Sequence, residues 1–255
     1  MTPEAISSQL RAINARVAAV EIFEEIDSTN KLLWARFAEN AVMPRVAIAR
    51  RQTAGRGQWG KNWVSAAGGL YLSVLLPLEI EPQNAYSLTI ASAWGIAAAL
   101  RQNQIPVQIK WANDLLLNNK KLGGIKTETK VQQGKITAAV IGVGINYTNS
   151  VPDVGISLKT FWRDELQFSG DRLAALVIAS ILNATEKLAK ESIHSILPDY
   201  LALLKNMGET VVYEGHQGVI VGVSEKGELL LKLSAAGSRS IIKIPPGQVS
   251  LGYGT

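Results

Sequence analysis

Apolar residues recur at helical spacing at Ile6, Leu10, Ile13 and Val17. Thr2 stands before them as a cap, with Pro3 at the first helical position and Glu4 at the positive end, so the spacing predicts a first helix. Ala19 to Ile26 reads as a strand. Asp27 or Ser28 then caps a second helix with Leu32, Leu33, Phe37 and Ala38 as its buried stripe, and Pro44 ends that stretch. Arg45 to Gln52 leads into a glycine-rich loop, and Leu70 to Leu76 is strand-like again. Asn84 to Gln102 is an alanine-rich helix. Val107 to Lys110 and Leu115 to Leu117 are short strands around the turn-like tetrad Trp111-Ala112-Asn113-Asp114. Asn118-Asn119-Lys120-Lys121 reads as a hairpin tip, because Asn tolerates positive φ. Gly123 to Val131 returns, Gln132 to Lys135 turns, and Ala138 to Asn146 is a buried strand. After the irregular stretch Val151 to Gly170, two helices are expected at Asp171 to Lys190 and Ile193 to Lys205.

From Glu209 the pattern changes. Short alternating runs at Thr210–Tyr213, Gly218–Val223, Glu228–Leu233 and Arg239–Ile244 are divided by glycines, which predicts a small β-barrel. The boundary falls at about residue 207, giving domains 1–207 and 208–255. The fold class expected is α+β.

Composition narrows the chemistry. The 255 residues contain no Cys, which excludes disulfides, thiolate nucleophiles and cysteine metal sites. His194 and His216 lie far apart in sequence and suggest no zinc site. Twenty-six basic against 21 acidic residues, net +5, point to an anionic partner. The start lacks a signal peptide's basic and apolar regions, and Leu88 to Leu100 is too short to span a bilayer, so a cytoplasmic protein without membrane association is expected.

The charge is concentrated at Arg50 to Trp63, RRQTAGRGQWGKNW, and no acid occurs between Glu39 and Glu79. Gly55-x-Gly57-x-x-Gly60 fits a dinucleotide fingerprint literally, but that device opens a helix and this loop runs on to a strand. A glycine-dense loop lets backbone N–H groups close on an anion, and Arg56 and Lys61 would screen repulsion between two anionic reactants.

Four motifs follow in order: Asp27-Ser28-Thr29-Asn30; Gln52 with Gly55-Arg56-Gly57-x-x-Gly60 and Trp63; Lys110-Trp111-x-Asn113-Asp114 with Lys121-Leu122-x-Gly124-Ile125; and Gly142-x-Gly144-Ile145-Asn146. The ordered set resembles the biotin–protein ligases, from about Glu21 to the C-terminus. The resemblance implies a mixed β-sheet flanked by helices, like class II aminoacyl-tRNA synthetases, with an SH3-like C-terminal barrel. It also implies the reaction. The biotin carboxylate attacks the α-phosphate of ATP, pyrophosphate leaves, and a lysine of a biotin carboxyl carrier protein then displaces AMP from biotinyl-5′-AMP.

Roles implied by the resemblance follow. Arg56 contacts carboxylate and α-phosphate, Lys121 pairs with the biotin carboxylate or its acyl-adenylate oxygen, and Lys110 serves the phosphates or is structural. Ser28, Thr29, Asn30 and Gln52 bond the ureido head, although one or more of the first three caps the helix. Gly55, Gly57, Gln58 and Lys61 belong to the loop that holds the adenylate, and Trp63 packs on adenine or in the core. Gly124, Gly142 and Gly144 admit ligand to the backbone or form bulges. Asn113 and Asn146 meet the nucleotide, while Asp114 positions the Mg2+ that accompanies ATP or buttresses its turn. Gln58, Trp59, Lys61 and Ala112 depart from residues common in the family. Gln58 lacks a charge for the adenylate, and Trp59 is expected to replace electrostatics with packing.

Too few residues precede Ser28 for a helix-turn-helix domain, so a monofunctional ligase without specific DNA binding is expected, as monomer or homodimer. Three other readings compete: a lipoate- or octanoate-transferring relative, whose cysteine-dependent acyl-transfer route the absence of Cys excludes and whose adenylate-forming route the Arg56 loop speaks against; a nucleic-acid-binding module; and a non-catalytic biotin-binding regulator.

Overall fold

The computed structural model describes residues 1–233 and 240–252. The helices are α1 (Pro3–Ala12), α2 (Thr29–Ala38), α3 (Ala85–Gln102), α4 (Leu158–Phe161), α5 (Gly170–Glu191) and α6 (Leu197–Leu203). A large sheet contains β1 (Ala19–Ile26), β2 (Arg45–Gln52), β3 (Leu70–Ile80), β4 (Gln108–Lys110), β5 (Asp114–Leu117), β6 (Lys120–Gln132) and β7 (Lys135–Ile145). Its order is β1-β2-β3-β7-β6-β5-β4, with β1 and β2 parallel and every other pair antiparallel. The expected mixed sheet in an α+β fold is therefore present. No described helix is long and apolar enough to cross a membrane.

Local chemistry sets the element ends. Thr2 caps α1 by accepting from the Ala5 N–H, and Asn14 at φ 57° turns the chain after it. The helix therefore stops at Ala12, and Ile13 is exposed rather than part of the buried stripe. Ser28, not Asp27, caps α2; Asp27 accepts from the Ser28 N–H. Asn118 and Asn119 both take positive φ and turn β5 into β6, which begins at Lys120, earlier than expected. The helix expected at Ile193 to Lys205 is not continuous: Ser192 at φ 65° ends α5, Ile193–Ser195 form a single 3-10 turn, and α6 runs only from Leu197 to Leu203 with Pro198 in its first turn.

Helices α1, α3 and α5 cover one face of the large sheet. There α3 and α5 cross closely at Gly95, where a Cβ would sit 2.8 Å from the Ala184 Cβ and the Ser180 carbonyl. Helix α2 covers part of the opposite face, burying Leu33 against Ala47, Leu75, Ala138 and Val140. The rest of that face is open and holds the site.

The remaining strands, β8 (Thr210–Tyr213), β9 (His216–Val223), β10 (Leu229–Leu233) and β11 (Ile241–Ile244), form an antiparallel sheet in the order β11-β10-β9-β8. The short alternating runs predict a barrel here. Among the described residues β8 pairs only with β9 and β11 only with β10, so this sheet is open. Arg239, expected to begin the last strand, lies outside the described residues. Ile220, Val223, Leu229, Leu231 and Ile244 join the same hydrophobic cluster as α3 and α5. Polar ties reinforce this: the Trp111 indole donates to the Gly227 carbonyl at 3.0 Å and Ser87 Oγ to that of Glu225 at 3.3 Å.

Candidate functional site

A cavity of about 850 Å³ lies on the open face of the large sheet. Its floor is made by paired strands β6 and β7, with Gly124 opposite Gly144 and Lys126 opposite Gly142. The N-terminus of α2 forms one wall, the 55–63 loop another, and residues 246–252 after β11 a third.

The α2 wall is a continuous polar network. Gln52 Oε1 accepts from the Thr29 N–H at 2.9 Å and the Thr29 hydroxyl at 3.1 Å. Gln52 Nε2 donates to Ser65 Oγ at 2.9 Å. The Ser73 hydroxyl lies 2.6 Å from both Thr29 Oγ1 and Asn30 Oδ1 and donates to one at a time. Asn30 Nδ2 then donates to Glu128 at 3.0 Å. Asn30 sits directly on Gly142, where a Cβ would collide with its amide. The expected ureido-binding residues thus share one wall, and much of their capacity fixes them to one another. Such pre-bonding orients a polar recognition surface before a ligand arrives.

The other end of the floor is cationic. Lys121 Nζ lies 2.8 Å from Asp114 Oδ1, and Lys110 Nζ lies 3.9 Å from Asp114 Oδ2. Lys110 is buried, and that burial lowers its pKa below the ordinary lysine value; Asp114 opposes the shift, while Lys121 and Lys61 add to it. A bulge aims Lys121. Leu115 pairs with Gly123 but Leu116 pairs with Lys121, which inserts Leu122 as an extra residue on β6. The insertion turns Lys121 onto the face occupied by Gly124, whose Cβ would lie 3.7 Å from Lys121 Cε. Trp63 lies on this end as well. Its ring faces Lys121 Nζ at 5.1 Å, and a Cβ at Gly144 would sit 2.5 Å from its Cε2 and Nε1. The two glycines therefore make room for side chains of the protein itself, Asn30 over Gly142 and Trp63 over Gly144.

The loop supplies the mouth. Gly55 is buried where a Cβ would meet Ser65 Oγ and the Trp63 carbonyl at 2.5 Å. It shapes the loop rather than lining the cavity. Arg56, Gly57, Gln58 and Lys61 do line it, with Arg56 and Lys61 exposed to solvent. Trp59 takes φ 57° and packs on Gly247, itself at φ 95°, where a Cβ would lie 2.8 Å from the indole.

Asn113 lines the cavity but donates its amide to the Ile125 carbonyl at 2.8 Å, tying β5 to β6. Asn146 stands outside the lining and donates to the Lys121 carbonyl at 3.2 Å. The Trp111–Ala112 peptide is cis, and the Tyr200 hydroxyl donates to the Ala112 carbonyl at 3.1 Å.

Sequence reasoning missed several lining residues. Lys126 and Glu128 share the face of Gly124 by strand alternation, a signal present in the pattern but not used. Trp34 and Tyr86 read as ordinary helix positions. Residues 246–252 reach the cavity only through tertiary packing, which no local signal marks. Glu128 is held at this inner end: Lys126 Nζ lies 2.9 Å from one carboxylate oxygen, and the Asn30 amide and the Trp34 indole donate to the other. Burial raises its pKa, but these three hydrogen bonds outweigh burial and leave it below the ordinary carboxylate value.

Residues 22–146 match the model of the family described as "Biotin/lipoate A/B protein ligase family". The chain is 32% identical over 241 residues to the bifunctional ligase/repressor BirA of Bacillus spizizenii, covering 89% of this chain and 72% of that protein. It is 27% identical over 201 residues to the biotin–[acetyl-CoA-carboxylase] ligase of Paracoccus denitrificans, covering 72% of this chain and 82% of that one. Among solved structures it is similar to the biotin protein ligase from Aquifex aeolicus in complex with biotin and ATP. There the TM-score is 0.68 at 27% identity, with 88% of this chain and 98% of the other covered.

Proposed function

The chain belongs to the biotin/lipoate A/B protein ligase family, and we propose that its cavity joins biotin to ATP as biotinyl-5′-AMP and passes the biotinyl group to a lysine of a biotin carboxyl carrier protein. The observation that carries this is the meeting, in one cavity, of the Lys121–Asp114–Lys110 cluster, the loop bearing Arg56 and the Thr29–Gln52 polar wall.

In the first step the biotin carboxylate oxygen bonds to the α-phosphorus and the bond to the pyrophosphate oxygen breaks. Both reactants are anions, so Arg56 and Lys121 serve by screening their repulsion and holding the acyl-phosphate oxygens. Lys110, kept in place beside Asp114, adds charge for the phosphates. Ser28, Thr29, Asn30 and Gln52 present hydroxyl and amide groups to the ureido head. Gly57, Gln58, Lys61 and Trp63 close over the adenylate and keep water from the mixed anhydride. In the second step the carrier amine attacks the acyl carbon and AMP leaves. Asn113 and Asn146 act as positioning residues, since their amides hold backbone carbonyls of the hairpin that carries Lys121.

Both carboxylate oxygens of Asp114 already face ammonium groups, and no cluster of three or more His, Cys, Asp or Glu that could hold a metal occurs among the described residues. The described residues therefore form no dedicated cage for Mg2+; a cation arriving with ATP would be held by the phosphate oxygens, with Asp114 as the carboxylate that would position it. We read residues 1–207 as the catalytic domain on a class II synthetase-like sheet, and the open C-terminal sheet as an SH3-like module whose 246–252 segment walls the cavity. ATP as substrate and a cysteine-free chain suit a cytoplasmic setting.

The test is isotope exchange. Labelled pyrophosphate is expected to enter ATP only when biotin is present, and labelled biotin to appear on a lysine of an apo-carrier domain. Exchange that ignores biotin, or none at all, overturns the proposal.

A further inference from the structure

Strand alternation puts Gly124, Lys126 and Glu128 in one row along the cavity floor, while Thr127 faces away and bonds to Thr89 of α3. At two residues per step the row advances roughly 7 Å each time. It runs from the Lys121–Asp114 end, past Lys126 opposite Gly142, to Glu128 beneath Asn30 and Trp34. The inner half of an acid-binding slot therefore carries an ammonium group. The side chains of Lys126 and Glu128 are 21% and 33% exposed, and their oxygen and nitrogen are 2.9 Å apart. An ammonium has three N–H donors, and Glu128 takes one.

A methylene chain laid on this wall would strip water from the remaining donors and return no acceptor, which is costly for a charged group. A ring bearing a urea carbonyl can return that acceptor. Resting on the functional reading above, we propose that Lys126, fixed by Glu128, is a specificity-determining residue that makes the slot reject medium-chain fatty acids and admit a carboxylic acid with a polar inner end. Glu128 contributes as a positioning residue: it holds the ammonium over Gly142 and is itself held by Asn30 and Trp34.

The test is calorimetric binding of biotin and of octanoate to the whole chain, which does not depend on turnover. The parent is expected to bind biotin and to bind octanoate at least about 100-fold more weakly, a floor well below the roughly 10⁴-fold by which a site built to hydrogen-bond its ligand rejects an analogue lacking that group. Lys126→Leu should shrink that ratio at least tenfold, and Lys126→Arg should retain the parent's preference. The double variant Lys126→Leu/Glu128→Gln removes the stranded carboxylate and should shrink the ratio as much, which keeps the test sound if the single variant folds poorly. Biotin binding with a ratio unchanged in both leucine variants overturns this inference alone. Failure of the parent to bind biotin overturns the functional reading and this inference with it.

Discussion

Gly142 and Gly144 lie two residues apart on β7 and face the same cavity, yet the structure gives them different neighbours. Consider Gly144→Ala. The new methyl would sit 2.5 Å from Cε2 and Nε1 of Trp63. Ordinary contact between such atoms is about 3.5 Å, so the indole must recede by about 1 Å. It is free to do so at small cost to the fold. Trp63 is only partly buried, it stands on a loop, and its Nε1 has no hydrogen-bond partner among the described residues. Receding takes it from the cavity and from Lys121, which faces it at 5.1 Å. Losing an indole's stacking contact with a base costs about 1–3 kcal/mol, or roughly a 5- to 150-fold rise in Kd. The assay is titration of a non-hydrolysable biotinyl-adenylate analogue by calorimetry, with a thermal melt alongside. The expected result is weakened binding with Tm nearly unchanged. A Kd within about twofold of the parent would show that the indole's seat on Gly144 plays no part in binding, since twofold is only about 0.4 kcal/mol.

Gly142→Ala should do the opposite. Its methyl strikes Asn30, which is locked by Ser73 and Glu128, so stability should fall by about 1–3 kcal/mol, or roughly 2–4 °C of Tm per kcal/mol; an unchanged melt refutes the locked network. Trp59 is 60% exposed. Covering the rest of an aromatic surface of about 200 Å² contributes about 2 kcal/mol, so Trp59→Ala should release the adenylate roughly 30-fold faster. Release at the parent's rate would end the idea that packing on Gly247 replaces a cation. Glu128 has a folded-state pKa below its ordinary 4.5, so the native state binds fewer protons than the unfolded chain as pH falls through that range. Its stabilisation is complete above pH 4.5 and drains away as pH falls through the lower folded value. The stability gap between the parent and Glu128→Gln should therefore be constant near neutrality and shrink in acid, and a gap that widens in acid contradicts the assignment.

Much of the architecture follows from local chemistry that the sequence displays. The Thr2 and Ser28 caps, the paired asparagines that turn β5 into β6, and the strand–glycine loop–strand passage are legible because each depends on neighbours within a few residues. The aim of Lys121 was not legible. It depends on a bulge at Leu122, and a one-residue insertion in a ladder leaves no mark in the hydrophobic alternation. Gly144 reads in the sequence as a place for ligand to approach the backbone or for a bulge, and only the fold shows the Trp63 indole seated there. Asn113 and Asn146 carry chemistry suited to a nucleotide, but that their amides also donate to hairpin carbonyls is visible only in the fold. The C-terminal wall at 246–252 depends on packing across the whole chain, as does the open edge of the β8–β11 sheet.

The central claim is that the loop cation and the hairpin cation meet across one acyl-phosphate group. A crystal structure with a non-hydrolysable biotinyl-adenylate analogue tests it most directly. The account predicts Arg56 and Lys121 both within about 3 Å of the acyl-phosphate oxygens, a charge-assisted hydrogen-bond distance, with the loop closed above. An analogue bound in the cavity with either cation turned away into solvent would contradict it.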